Sequence, residues 1–217
     1  MTLSHDEARA FYDRFGARQD WQRFYEDPAT AAMIRSADFA EARSVVEFGC
    51  GTGRFAAELL AHHLPDSARY TGFDVSATMV RLASQALAPW SGRAEARLSD
   101  GTMRLPLAEA SADRFVSTYV LDLLSEADAH ALIDAARRIL VGEGRLCLVS
   151  LTAGATPFAR AVTAIWKRVH RANPRLLGGC RPVALREALA PGQWRIAYRG
   201  VVTRFGISSE VLVATPM

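Results

Sequence analysis

The sequence has few cysteines and no long hydrophobic run. The three cysteines, Cys50, Cys147 and Cys180, have neither the paired spacing of metal ligands nor the density of a disulfide framework, which argues against a zinc site and a disulfide-stapled scaffold. No apolar stretch approaches the roughly 20 residues that a membrane-spanning helix needs. The first residues are charged rather than apolar. We therefore expect a cytoplasmic protein with no transmembrane segment and no bound metal.

Acidic residues are absent from positions 144 to 186, where basic residues are frequent. Phe158, Val162 and Ile165 have helical spacing within this stretch, which predicts an amphipathic helix with basic residues on its other faces. The basic residues are Arg145, Arg160, Lys167, Arg168, Arg171, Arg175, Arg181 and Arg186, with His170 among them. This face is either a solvated surface or a surface that meets an anionic substrate or an anionic membrane. The net charge of +3 is too small to indicate nucleic-acid binding.

The pattern of a strand, a tight turn and a helix begins at Val45. A β-branched pair, Val45 and Val46, leads into three glycines on alternate positions, Gly49, Gly51 and Gly53, and a helical pattern follows. Glycine accepts positive φ and allows a ligand to approach the backbone closely. The helix that follows points its free N–H groups back at the turn. The loop is therefore typical of a site for a nucleotide-like ligand.

The spacing of the loop argues against a dinucleotide. The fingerprint G-x-G-x-x-G would place its third glycine at position 54, which is Arg54 in this chain. Glu47, two residues before the first glycine, would repel a pyrophosphate and attract a cationic amino-acid group. The loop therefore favours a ligand that has a positive end and no phosphate.

Two further acids fall where strands are predicted to end. Asp74 closes a strand over residues 69–75, about 20 residues after Gly53, the interval at which such folds present a carboxylate to ribose hydroxyls. Ser76 is placed to cap the following helix, so that Asp74 is not needed as its cap. Asp100 follows a short third strand, before Gly101. Alone, Asp100 would be an ordinary turn residue.

Together these stretches resemble the class I S-adenosylmethionine (SAM) dependent methyltransferases. The resemblance implies that the glycine loop holds SAM, that Asp74 binds its ribose hydroxyls and that Asp100 meets its adenine. Many small-molecule members also carry a Tyr-Asp pair before the first strand, here Tyr12-Asp13, in a helix that caps the cofactor. The implied cofactor-binding residues are Tyr12, Glu47, Phe48, Gly49, Cys50, Gly51, Gly53, Asp74, Val75, Met79, Ser99, Asp100, Gly101 and Tyr119. The product would be S-adenosylhomocysteine.

The alternation of strand and helix predicts a single α/β domain over residues 1–217 with a Rossmann-like, doubly wound, mostly parallel sheet. We expect a helical cap over 1–40, a cofactor-binding core over 41–151, a basic helical insertion over 152–191 and a C-terminal hairpin over 192–217. The resemblance implies seven strands with an antiparallel end. Within this scheme Pro28 is expected in the first turn of a helix. Gly142 and Gly144 are expected to separate a helix from the fifth strand.

The catalytic residues cannot be assigned from the sequence. Because the methyl group of SAM is already activated, the protein mainly has to position an acceptor. Tyr12, Asp122 and His170 are candidate bases. Asp122 stands where many relatives that methylate small molecules have histidine. An Asn/Asp-Pro-Pro-aromatic run, typical of enzymes that methylate amino groups of nucleic-acid bases, is absent after the fourth strand.

Three functions therefore remain open. The first is methyl transfer to a small-molecule acceptor, with the basic stretch suggesting an anionic one. The second is methylation of a lipid headgroup, RNA or protein. The third is a methyltransferase-like binding module without turnover.

Overall fold

A computed structural model describes residues 5–16, 23–173 and 179–217. Residues 1–4 and 17–22 of the expected helical cap and Arg175 of the basic stretch lie outside the described residues. The described helices are α1 (His5–Phe15), α2 (Arg23–Ser36), α3 (Arg54–His62), α4 (Ala77–Ala86), α5 (Glu126–Ile139), α6 (Pro157–Ala172) and α7 (Leu185–Ala188). The strands are β1 (Ser44–Phe48), β2 (Arg69–Asp74), β3 (Ala94–Leu98), β4 (Ala112–Thr118), β5 (Leu140–Leu151), β6 (Trp194–Arg204) and β7 (Ile207–Pro216).

The strands form one seven-stranded sheet in the order β3-β2-β1-β4-β5-β7-β6. The strands from β3 to β5 are parallel, β7 pairs with β5 antiparallel, and β6 pairs with β7 antiparallel. The order reverses between β1 and β4, which is where ligands bind in open α/β sheets. The structure confirms the doubly wound sheet with an antiparallel C-terminal hairpin.

Alternating side chains of the central strands divide the core between the two faces of the sheet. Leu146 and Leu148 of β5 pack in the cluster that contains Leu132 of α5, whereas Cys147 packs with Leu59 of α3 on the other face. These side chains are buried, as expected for strands covered by helices on both faces. Both layers of helices are thus anchored to the strands whose carboxyl ends form the site.

Two local predictions are wrong. Pro28 lies inside α2, which begins at Arg23, so it is not in the first turn. Gly142 and Gly144 lie within β5, because the strand begins immediately after α5 and shifts its register against β4 between Ala112 and Arg114. Helix α5 therefore ends where β5 begins to pair with β4. The two glycines lie in an irregular part of this strand pairing.

Candidate active site

A cavity opens at the carboxyl ends of β1, β2 and β4 and contains about 870 Å³ of empty space, part of which is open to solvent. Of the cofactor residues expected from the sequence, ten line it: Tyr12, Phe48, Gly49, Gly51, Asp74, Val75, Met79, Ser99, Gly101 and Tyr119. The structure thus brings most of the predicted residues together. Their roles toward a cofactor stay predictions.

The glycines of the loop have three different physical roles. Gly49 has φ +81°, and a Cβ there would lie 2.2 Å from Val120 Cγ2. Gly53 has φ +78° and begins α3, where a Cβ would lie 2.8 Å from the Ala83 Cα of α4. Gly51 has φ +53°, and a Cβ there would meet no atom within 4 Å. Gly49 and Gly53 therefore permit close packing, whereas Gly51 borders open space in which a ligand can approach the backbone.

Asp74 ties the loop to the end of β2. One carboxylate oxygen accepts a hydrogen bond from Gly51 N at 2.9 Å, and the other accepts one from Ser76 N at 2.9 Å. Burial raises the pKa of Asp74, while these backbone donors oppose the shift. The carboxylate lines the cavity beside the glycine loop, where ribose hydroxyls could donate to its remaining lone pairs.

Glu47 and Cys50 do not belong to the cavity lining. Glu47 is buried and accepts a hydrogen bond from the Tyr70 hydroxyl at 2.5 Å. Burial raises the pKa of Glu47 to about 7. A Cβ on Gly72 would lie 2.8 Å from Cys50 Cβ, so Cys50 packs tightly against β2. Glu47 is therefore bonded to Tyr70 inside the core, and its attraction for a cationic ligand stays a prediction.

Asp100 and Gly53 also lie outside the lining. The Asp100 carboxylate is exposed and accepts hydrogen bonds from the backbone N and the hydroxyl of Thr102, both at 2.8 Å. These bonds lower the pKa of Asp100. Its neighbours Ser99 and Gly101 line the cavity. In this structure Asp100 therefore shapes the turn, and its contact with adenine stays a prediction.

Helix α1 lies beside the cavity and is fastened to the start of α4. Asp13 accepts hydrogen bonds from Ser76 Oγ at 2.5 Å and from Thr78 N at 3.2 Å. The bond from Ser76 is the main cause that lowers the pKa of Asp13. Tyr12, the adjacent residue, lines the cavity. The Tyr-Asp pair thus has two roles, in which Asp13 anchors the helix and Tyr12 contributes to the wall.

The end of β4 forms the opposite wall. Tyr119 has φ +56°, an uncommon value for a residue other than glycine, and its hydroxyl lies 2.9 Å from Ser209 Oγ. Its ring meets that of Tyr25 edge to face, with a distance of 5.6 Å between the ring centroids. The loop is therefore faced by a fixed aromatic surface.

Several lining residues were not predicted from the sequence. They are Phe73, Met103, Thr118, Val120, Leu123, Leu124, Ser125 and Asp128. Thr118 and Val120 flank Tyr119 at a predicted strand end, and this position in the sequence could have identified them. Met103 follows the Asp100 turn, and no motif marks it. The apolar residues Leu123 and Leu124 resembled ordinary core positions.

The comparison with family models decides the assignment. A model described as a methyltransferase domain matches residues 45–144, which span the glycine loop, Asp74 and the end of β4. Residues 45–144 therefore form the domain of a SAM-dependent methyltransferase. No curated protein matches it by sequence.

Solved structures share the fold of this methyltransferase at low sequence identity. The [4+2]-cyclase SpnF is 18% identical with a TM-score of 0.66, and the match covers 87% of this chain and 80% of that one. Geranyl diphosphate C-methyltransferase from Streptomyces coelicolor A3(2) is 12% identical with a TM-score of 0.64, covering 87% and 79%. PH0226 from Pyrococcus horikoshii OT3 is 14% identical with a TM-score of 0.67, covering 93% and 92%. Because one of these is a cyclase, the fold by itself does not fix the reaction.

The residues of the cavity fit SAM, the cofactor of this family. Open space borders Gly51, and the Asp74 carboxylate lies beside it. The loop backbone would hold the amino-acid portion, Asp74 would hold the ribose, and Ser99 and Met103, which also line the cavity, would meet the adenine end. SAM supplies an activated methyl group on its sulfonium, so the protein has to orient an acceptor and exclude water.

The candidate bases differ in their surroundings. Asp122 is completely buried, and burial raises its pKa to about 7. Burial is also the main cause that raises the pKa of Tyr12. His170 Nε2 lies 3.1 Å from the Gly179 carbonyl oxygen and does not line the cavity. His170 is therefore engaged in holding the end of α6, and Asp122 and Tyr12 remain as titratable groups near the cavity.

Proposed function

We propose that this methyltransferase transfers the methyl group of SAM to a small-molecule acceptor. The observation that carries the proposal is the lining of the site, a mostly apolar recess in which Tyr12 of α1 and Tyr119 form part of the wall. A concave, mostly apolar site with a few polar side chains is typical of small-molecule binding.

The cavity wall does not support the expectation of an anionic acceptor group within it. Among the described residues that line it, none is basic, whereas Asp74 and Asp128 are acidic. The basic residues Arg160, Lys167, Arg168 and Arg171 are exposed on α6. Any anionic group that they recognise would lie outside the cavity.

The proposal is tested with methyl-labelled SAM and a cell extract divided by size into molecules below and above about 1 kDa, with lipids extracted separately. We expect label to enter the fraction of small molecules, and Asp74→Ala to abolish this incorporation. Label that enters only protein or RNA would overturn the proposal.

Methylation of a lipid headgroup is a second candidate, favoured by one surface. Four large apolar side chains, Phe24, Phe158, Ile165 and Phe205, are 50%, 68%, 64% and 77% exposed. The rings of Phe24 and Phe205 are 5.8 Å apart, and Phe158 packs against Gly206 at the turn of the hairpin. Exposed aromatic side chains next to a basic helix face are typical of proteins that bind an anionic membrane surface.

Vesicle binding separates the two candidates. A lipid-directed enzyme would sediment with vesicles that contain phosphatidylserine, would be released by salt, and would lose binding in Phe158→Ser/Phe205→Ser but not in the control Met217→Ser. Absence of sedimentation, with label in the water-soluble fraction, would leave the small-molecule proposal standing alone.

A further inference from the structure

The turn of the β6–β7 hairpin carries a residue that its backbone disfavours. Arg204 pairs with Ile207, so Phe205 and Gly206 alone form the turn, and their φ angles are +50° and +81°. A two-residue turn with positive φ at both positions favours Asn-Gly, and a bulky side chain at the first position is strained. The Phe205 side chain is 77% exposed, so little of it is buried in return. The folded chain alone therefore gains little from a phenylalanine at this position.

Other exposed apolar side chains adjoin Phe205. The Phe24 ring meets it edge to face, with 5.8 Å between the ring centroids. A Cβ on Gly206 would lie 2.7 Å from the Phe158 ring, so α6 packs against the turn. Phe158 and Ile165 are seven residues apart on one face of α6 and are 68% and 64% exposed. We call the patch formed by Phe24, Phe158, Ile165 and Phe205 the hairpin surface.

The exposed charges beside the hairpin surface are positive. Three exposed arginines adjoin it: Arg23 before Phe24, Arg204 before Phe205, and Arg168 one turn after Ile165. Helix α6 and residues 194–209 contain no acidic residue, and the two acids of α2, Glu26 and Asp27, both pair with Arg54. The other cations of α6 lie on its far side, within a helix diameter of about 10 Å, which is comparable to the Debye length. The surface is therefore complementary to a partner that is both apolar and anionic.

The hairpin surface lies at the same edge of the sheet as the cavity. Ser209 at the start of β7 pairs with Leu151, the last residue of β5, so the hairpin turn and the start of α6 lie at the carboxyl ends of the parallel strands. Ring contacts continue from Phe24 to Tyr25 at 5.1 Å and from Tyr25 to Tyr119 at 5.6 Å. Tyr119 lines the cavity. A partner bound at the hairpin surface would therefore lie on the cavity side of the molecule.

We propose that the hairpin surface docks the protein on a membrane surface that contains anionic lipids, with Phe205 inserted at the level of the headgroups. Aromatic side chains enter the headgroup region while the neighbouring arginines are attracted to the lipid phosphates. A second copy of the chain fits this surface less well, because a symmetric contact would bring the same cations together.

Docking goes beyond the choice of acceptor. Methylation of a lipid headgroup requires such docking, whereas docking does not require that acceptor. It turns the edge of the sheet that holds the cavity toward the membrane, whether the acceptor is a headgroup or a small molecule.

Phe205→Asn separates docking from folding. Asparagine is favoured at this turn position, so the free energy of unfolding, measured in urea, should rise or stay equal while docking is lost. We expect Phe205→Asn to bind vesicles of phosphatidylcholine with about 30% phosphatidylserine at least about tenfold more weakly than the wild type. Met217→Asn changes an apolar residue, 63% exposed, at the opposite edge of the sheet, and should bind as the wild type does.

The lipid composition tests the charge of the surface. The wild-type protein should bind vesicles of phosphatidylcholine alone at least about tenfold more weakly than the mixed vesicles, and salt at about 0.5 M should release it from the mixed vesicles. Sedimentation without vesicles serves as the blank.

Equal binding to vesicles with and without phosphatidylserine, unchanged binding of Phe205→Asn, or no binding of the wild type would overturn the inference. A dimer, seen by analytical ultracentrifugation, that Phe205→Asn dissociates would also overturn it, because a second copy would then occupy the surface. None of these results bears on methyl transfer, which the binding of S-adenosylhomocysteine and the destination of the methyl label decide. The failure of the inference and the failure of the proposed function are therefore distinguishable.

Discussion

At the scale of single residues, Gly49 and Gly51 differ in what a side chain would meet. Gly49→Ala places a Cβ within 2.2 Å of Val120 Cγ2 at φ +81°, so we expect a loss of about 1–3 kcal/mol in the free energy of unfolding. Gly51→Ala meets no protein atom and carries only the strain of φ +53°, so we expect a smaller loss of stability and a weaker affinity for S-adenosylhomocysteine. Urea denaturation and calorimetry measure the two quantities.

The double variant Gly49→Ala/Val120→Ala serves as the control for the clash. It should recover part of the lost stability, since the contact is removed while the strain of positive φ persists. Equal losses of stability in Gly49→Ala and Gly51→Ala would contradict the separate roles of the two glycines.

Asp122 is expected to reduce stability at high pH. In the folded state the pKa of Asp122 is raised to about 7. Between the ordinary pKa of an aspartate and pH 7, the unfolded chain has therefore lost this proton while the folded chain keeps it. The free energy of unfolding falls as the pH rises through this range. Asp122→Asn removes this loss. We expect the stability of the variant, relative to the wild type, to increase by about 2 kcal/mol from pH 5 to pH 8.

Urea denaturation at both pH values checks this prediction. Glu47 has a raised pKa in both proteins, so its contribution cancels in the comparison. Parallel stability profiles for Asp122→Asn and the wild type would show that Asp122 ionises as it does in the unfolded chain.

At the scale of elements, Asp13 is the link between α1 and α4. Asp13→Ala removes the hydrogen bonds from Ser76 Oγ and Thr78 N, and we expect faster amide exchange in α1. Since Tyr12 lines the cavity, S-adenosylhomocysteine should also dissociate faster. Because the pKa of Asp13 is lowered, both effects should be the same at pH 6 and pH 8.

Hydrogen exchange read by mass spectrometry, with Asp134→Ala as the surface control, measures this change. Unchanged exchange in α1 of Asp13→Ala would mean that other contacts hold the helix. A change seen equally in Asp134→Ala would show that the effect is not specific to the anchor.

The elements that the sequence predicts well are those with a local physical signal. Ser125 caps α5 and accepts a hydrogen bond from Asp128 N at 3.1 Å, and a serine with an acid three residues later is a local signal for such a cap. Ser76 likewise caps α4. The errors at Pro28 and Gly144 have the opposite origin, because the tertiary structure overrides the local preference of proline and glycine. Helix α2 continues through its proline, and β5 continues through its glycines by pairing with β4.

At the scale of the whole molecule, the cofactor side of the site was predictable and the acceptor side was not. The motif spacing determines Gly49, Gly51 and Asp74, because consecutive parallel strands bring their ends to one edge of the sheet. Asp100 shows the limit of this reasoning. The sequence predicts the end of the third strand, but it does not predict that the Asp100 carboxylate accepts a hydrogen bond from Thr102. The surroundings of Asp122 depend on how α1, α2 and the segment before α7 meet, which no single spacing encodes.

The match to the methyltransferase model and the geometry of the loop support the same prediction. We predict that the backbone around Gly51 and the Asp74 carboxylate hold SAM rather than a phosphate-bearing dinucleotide. Among the described residues, no helix is long and apolar enough to cross a membrane.

Calorimetric titration with SAM is the most direct test. The account predicts one SAM per chain, competition by S-adenosylhomocysteine, no binding of NADH, and an affinity at least about tenfold weaker in Asp74→Ala. A folded protein that binds NADH in place of SAM, or that binds neither, would contradict the account.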